Sequence, residues 1–295
     1  MNEFKTYHPI VNFAYFVIVI GFSCFIMHPI CLGISFASAL TYSAVLKGGK
    51  TIASNLKYML PAAISMAVIN PAFNHEGITI MAYMPGGNPL TAESVIYGLC
   101  SAVMILSVIC FFGCYNEVMT SDKFIYLFGR IMPSVSLVIS MTLRFVPMYV
   151  HQLKEITQVQ KCMGCDTSKG SIITRAKNGL RILSVLTTRS LENTVETADS
   201  MKSRGYGIPG RTSFSVFTFD KRDKYTLICI IFLTVYTLTG VLNDGIYFRF
   251  YPSVKMSGIS LYTVSVYASY LMLCMFPVII EIREAIKWKS SRSKI

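Results

Sequence analysis

The chain has 295 residues, 53% of them hydrophobic and only 14% charged, with a formal net charge of +12 and a mean hydropathy of +0.52. Soluble domains carry roughly 25% charged residues, so this depletion points away from a soluble domain and toward a polytopic membrane protein. The basic excess does not imply nucleic acid. Its lysines and arginines lie between apolar segments rather than on one aromatic-studded face, which suits anionic lipid head groups and the positive-inside rule.

Lys5 is the only basic residue ahead of the first apolar run, and no small-residue cleavage site follows, so that run is expected to be a retained span. A bilayer core about 30 Å thick takes roughly 20 apolar helical residues. On that scale Ile10–Met27 is the first candidate, and Ile30–Leu46 follows the His28-Pro29 break. Tyr58–Ile69 is short and starts near Pro61, which predicts a tilted or irregular helix; Ser94–Cys114, Tyr225–Leu242 and Ile259–Ile280 complete the set. The fold class is therefore all-α, a polytopic helical membrane protein of about six spans.

Lysine and arginine bias sets the orientation. The polar link Lys47–Lys57, the central polar region and the tail Glu281–Ile295 are basic and are expected in the cytoplasm. Asn70–Glu93, rich in Gly, Pro and Asn and without a base, is expected outside. Both termini then fall inside, and Arg249 and Lys255 in the outer loop Asn243–Gly258 run mildly against the rule. Phe124–Val150 is apolar but interrupted by Arg130, Pro133, Arg144 and Pro147. A crossing there would put the basic centre outside, so an interfacial or re-entrant helical pair along the cytoplasmic leaflet is expected. Three regions result: 1–123 with the N-terminal spans, 124–224 with interfacial and cytoplasmic helices, and 225–295 with the last spans and the basic tail.

The central region carries two amphipathic periods. Val146, Val150, Leu153, Ile156, Val159 and Met163 share one helix face, Gly164 stops that helix, and Asp166 or Thr167 can cap the next. A second face runs from Ile173 through Leu180, Leu191 and Val195 to Met201, ended by Gly205, Gly207 and Pro209.

Chemical motifs fail on inspection. Gly49-Lys50-Thr51 ends like a phosphate loop, but the required upstream glycine is Ala44 and no strand precedes it. His75-Glu76 lacks the second histidine of HExxH, Thr79 standing there. Cys162-Met163-Gly164-Cys165 is an isolated CxxC without a second ligand pair or a βα context, and most of the nine cysteines sit in apolar runs as small hydrophobes. No catalytic residue, cofactor or metal site is expected, and the scarcity of acids in the spans argues against an ion-driven carrier. Ser203-Arg204-Gly205 differs, because a helix dipole favours arginine at a C-terminus and the glycine permits a sharp stop. Its guanidinium could bind a partner's carboxylate or backbone. An ordinary solvated cap is the commoner use of such a residue.

Leu143-Arg144-Phe145-Val146-Pro147, Gln160-Lys161-Cys162-Met163-Gly164 and Ala198-Asp199-Ser200-Met201-Lys202-Ser203-Arg204-Gly205-Tyr206 resemble the T component of energy-coupling factor (ECF) ABC transporters, the EcfT/CbiQ family. Phe73-Asn74-His75-Glu76-Gly77 and Gly86-Gly87-Asn88-Pro89-Leu90 add to the resemblance, which extends over nearly the whole chain. It implies a non-enzymatic scaffold whose two coupling helices each end in an Ala-Arg-Gly-like motif docked on one of two ABC ATPase subunits. It also implies a separate membrane S component that binds a vitamin or metal ion. Carried over, the second motif is Ser203-Arg204-Gly205 and the first is Cys162-Met163-Gly164, with methionine in the arginine place. The two docking sites should then be chemically unequal, with Lys161 a candidate substitute charge on another side of the helix. Two rival readings are a membrane-embedded enzyme, which would need convergent polar groups at one depth, and an ordinary ABC permease forming its own pathway.

Overall fold

Two His-Pro pairs open the first two helices. In a computed structural model describing residues 3–83, 89–129, 132–168, 170–206, 208, 217–243, 245–256, 258 and 260–292, α1 spans Pro9–Phe25 and α2 spans Pro29–Lys47. Nδ1 of His8 accepts from the Ile10 N–H at 3.3 Å and Nδ1 of His28 does the same for Ile30 at 3.3 Å. Proline follows at the first helical position, where its missing N–H removes no helical bond.

α3 runs unbroken over Gly49–Phe73, through Pro61 and Pro71. The expected Lys47–Lys57 link thus shrinks to the turn at Gly48, and the third apolar run is the second part of a longer helix. The outer segment forms a small antiparallel pair, β1 (Ile80–Tyr83) with β2 (Pro89–Thr91), and Gly86, Gly87 and Asn88 lie outside the described residues. α4 (Ala92–Val118) and α5 (Ser121–Gly129) follow.

Next comes α6, one continuous helix over Pro133–Cys162. The amphipathic period read from Val146 thus belongs to a longer helix, which begins at Pro133 and passes through Arg144 and Pro147, with Arg130 outside the described residues. Proline removes only one helical hydrogen bond, and the flanking periodicity carries the helix past it. α7 covers Ile172–Ser203, with Ser171 rather than Asp166 or Thr167 at its N-cap. Asp166 instead turns on itself, Oδ1 accepting from the Ser168 N–H at 2.9 Å. Gly207 and Pro209, the expected further stops, lie outside the described residues. α8 (Lys221–Leu242) starts with a reciprocal capping box between Asp220 and Asp223. A short pair, β3 (Phe248–Arg249) with β4 (Lys255–Met256), leads to α9 (Leu261–Arg292), which carries the described part of the basic tail, to Arg292, as helix.

Five helices among the described residues are long and apolar enough to cross a membrane: α2, α4, α6 from Ser134, α8, and α9 to Ser290. The 17-residue α1 and the apolar part of α3, Met59–Phe73, are shorter. Seventeen residues is the lower limit for a span.

The chain divides into two compact units, residues 1–123 with 217–295 and residues 124–216. In the first, α4 packs on α1, α2 and α3, while α9 packs on α2 and α8. The N-terminal turn Glu3–Thr6 plugs one end, where Phe4 is fully buried and meets Tyr15 edge-on at 5.4 Å. Its N–H donates to Glu281 Oε1 at 3.2 Å, and the His8 N–H donates to Asp223 Oδ1 at 3.2 Å. Buried Lys123 donates to the carbonyls of Val118 and Lys5. The first turn, the start of α8 and α9 at the level of Glu281 thus share one end. At the other end of α1, His28 bonds Tyr267 at 3.1 Å and packs on Phe248, while Asn74 donates to Tyr251 Oη at 3.0 Å. Both short hairpins gather there.

In the second unit α6 and α7 pair antiparallel. Ile156 and Ile182 are its buried apolar side chains among the described residues. Glu155 and Arg189 form an ion pair at 3.9 Å, and the turn is tied back by Asn178 Nδ2 on the Asp166 carbonyl at 3.1 Å and Arg175 Nε on the Thr167 carbonyl at 2.8 Å.

Candidate functional site

The two glycine-ended tips have the same backbone. At the end of α6, Gly164 has φ +77° and its N–H donates to the Lys161 carbonyl at 3.1 Å, while the Cys165 N–H reaches back to Gln160 at 2.9 Å. At the end of α7, Gly205 has φ +75°, its N–H donates to Lys202 at 3.0 Å, and the Tyr206 N–H reaches Met201 at 3.1 Å. This crossed pair of bonds is the Schellman ending, which needs a left-handed residue at the glycine position.

Met163 and Arg204 occupy the same place in it. Their backbone angles are −82°, 10° and −84°, 8°. Met163 is 62% exposed, and Arg204 is exposed with no side-chain partner among the described residues. Cys162 is exposed, and Ser203 Oγ turns inward to the Ser200 carbonyl at 2.8 Å. Lys161 precedes Met163 by two residues, roughly 200° round the helix, so its charge leaves from another side.

The hairpin keeps the two tips apart. Met163 sits at the turn, whereas Arg204 comes back beside Leu137–Phe145 in the first half of α6. Twenty-odd helical residues separate these levels, on the order of 30 Å. Each tip has its own cleft. Beside Met163 an open cleft of about 750 Å³ is walled by Ile156, Val159 and Val185, with the Glu155–Arg189 pair at its edge. Beside Arg204 a cavity of about 400 Å³ is lined by Met141, Arg144, Phe145, Glu196 and Tyr206. The two cysteines flanking Met163 diverge in role, since Cys165 Sγ accepts from Arg181 Nη1 at 3.2 Å.

Sequence reasoning placed both tips but missed that Arg144 and Glu196 line the Arg204 cavity. The available signal was an arginine interrupting an apolar stretch. Nothing local says which residue sixty positions away it faces.

Residues 6–214 match the family model CbiQ, described as cobalt transport protein. The chain is similar to the energy-coupling factor transporter transmembrane protein EcfT of Lactobacillus helveticus, 39% identical over 100 residues, covering 34% of this chain and 36% of the relative. It is 31% identical to EcfT of Lactococcus lactis subsp. cremoris over 102 residues (34% and 38%), and 33% identical to EcfT of Acidaminococcus fermentans over 113 residues (38% and 41%). The aligned stretch spans about two fifths or less of each relative's length. With the family model matching most of the chain and a mainly helical fold with five helices long and apolar enough to cross a membrane among the described residues, this membrane protein belongs to the CbiQ family.

Proposed function

We propose that the chain is the coupling and scaffold subunit of an ECF-type ABC importer. Its two tips dock on two ABC ATPase subunits, which bind and hydrolyse ATP. Its membrane helices bear on a separate S component that binds a vitamin or metal ion. The observation that carries this reading is the pair of long amphipathic helices with superimposable Schellman ends about 30 Å apart. Each presents one unencumbered side chain, Met163 or Arg204. A rigid hairpin with separated tips is suited to convert closure of an ATPase pair into reorientation of helices behind it. The docking surface is assigned to Lys161, Cys162, Met163 and Gly164 at one tip and Ser203, Arg204 and Gly205 at the other.

The proposed orientation places both termini in the cytoplasm. It is supported by the first turn, Asp223 and Glu281 meeting at one end of the bundle. Lys5, Lys123, Lys221 and Arg222 gather at that end, as the positive-inside rule requires. Residues 124–150 are then read as running along the cytoplasmic leaflet rather than crossing it, and the basic helices that follow as cytoplasmic.

Purification of the native complex with identification of its subunits tests this directly. Two ATPases and a third membrane subunit are expected. A homodimer that transports without a third membrane subunit would establish the ordinary permease instead. Arg204→Glu should release one ATPase by reversing charge at its docking point.

A further inference from the structure

The cavity beside Arg204 holds an imbalance of charge. Arg144, from the apolar first half of α6, and Arg204, from the end of α7, line it together with Glu196. Neither guanidinium has an ion pair or a side-chain hydrogen bond among the described residues, and Glu196 pairs with neither. Two cations and one anion share a space of about 400 Å³, leaving one positive charge uncompensated. Met141, Phe145 and Met201 supply an apolar wall beside them.

We infer that Arg144 and Arg204 form a two-arginine clamp for a single carboxylate, an Asp or Glu side chain of the ATPase subunit that docks at this tip. The inference rests on the docking reading above and adds Arg144 to it. One carboxylate matches the excess of one charge. A phosphate dianion would overshoot it and face Glu196. A carboxylate also offers two oxygens, one for each guanidinium fork, in short charge-assisted hydrogen bonds. The apolar wall accommodates the methylenes of the incoming side chain or its helical neighbour. The clamp makes the α7 tip a two-point contact whose second point lies on the other helix. It therefore also fixes the register of α7 on α6 when the partner is bound.

The test is a double-mutant cycle on the assembled complex, with retention of each ATPase measured over a salt series for Arg144→Gln, Arg204→Gln and the double variant. Both side chains are exposed, so the hairpin keeps its fold, checked by helicity and by retention of the ATPase at the Met163 tip. Each single change is expected to weaken the same ATPase about tenfold or more, since a hydrogen bond to a charged group is lost. The double change should lose much less than the product of the two, because one carboxylate serves both. Glu196→Gln is expected to strengthen retention by removing the competing anion. Loss on Arg204→Gln with wild-type retention for Arg144→Gln would overturn the clamp and leave the docking reading standing. Wild-type retention for Arg204→Gln would remove the docking reading itself. A defect that tracks the phosphatidylglycerol content of nanodiscs, present without ATPases, would assign the arginines to a lipid phosphate and overturn the clamp.

Discussion

The two tips share a backbone to within a few degrees and differ in almost everything else. Met163 and Arg204 have matching φ and ψ, and each is followed by a left-handed glycine. One stands by a wide apolar cleft and the other by a smaller cavity with three charged side chains. The Schellman ending is secured by backbone bonds and by glycine, so the side chain at the cap is free to vary without cost to the helix. Geometry is held constant while chemistry changes. A subunit built this way can present different surfaces to two non-identical partners at equivalent positions.

Salt should break the symmetry most strongly. Raising ionic strength from about 0.1 M to about 1 M shortens the screening length from roughly 10 Å to roughly 3 Å. On the docking proposed above, the ATPase at the Arg204 tip is expected to dissociate across that range while the one at Met163 is retained. Arg204→Ala should reproduce the loss at low salt, and Met163→Ala should weaken its own ATPase with no salt dependence. Equal salt profiles at the two tips would show that their chemistry is not what separates them.

The shared geometry can be attacked next. Gly164→Ala and Gly205→Ala each force a side chain into the left-handed region at a cost of about 1 kcal/mol. A β-carbon at Gly164 meets nothing within 4 Å, whereas at Gly205 it lies 3.2 Å from Ile208 Cδ1. The Gly205 variant should therefore fray its last turn more, read as faster amide exchange at Gly205 and Tyr206 than at Gly164 and Cys165.

Met163→Arg tests whether chemistry alone distinguishes the tips. The position is open, so the hairpin should fold unchanged. Retention at low salt should stay within severalfold of wild type and acquire the salt dependence of the other tip. Complete loss of that ATPase would show that its groove requires an apolar tip.

A smaller effect separates the tips from the bundle that carries them. Burial holds the His8 imidazole below its ordinary pKa, against the opposing pull of the Asp223 carboxylate. The folded state thus keeps His8 neutral where the unfolded chain, near pH 6.5, takes up a proton. Stability is fully present above about pH 6.5 and is lost as pH falls toward the folded value. Thermal unfolding in detergent should show this decline, and His8→Asn, which still caps α1 but does not titrate, should reduce it.

Spans, stops and tips were legible in the sequence because their signals are local. Apolar runs, a three-and-four-residue period and a glycine after it announce helices and their ends. Legibility failed where distant chain segments decide the outcome. The start of α6 at Pro133 was hidden behind Arg144 and Pro147, which read as interruptions until a continuous helix passed through them. The cap of α7 at Ser171 was hidden by Asp166 and Thr167, both good caps, but the turn uses Asp166 for its own loop.

By itself the sequence determined that this chain lives in a membrane and that two amphipathic helices end at Met163 and Arg204. Composition and periodicity suffice for that, since each residue's preference for lipid, water or a helix end depends on its neighbours in the chain. Only the tertiary structure decided that Phe4 would plug the end of the bundle beside Glu281, and that Arg144 would line the same cavity as Arg204. Those juxtapositions follow from how side chains interlock between helices, above all the register of α6 on α7 about Ile156 and Ile182. A register is a property of two surfaces, and no single stretch of sequence contains it.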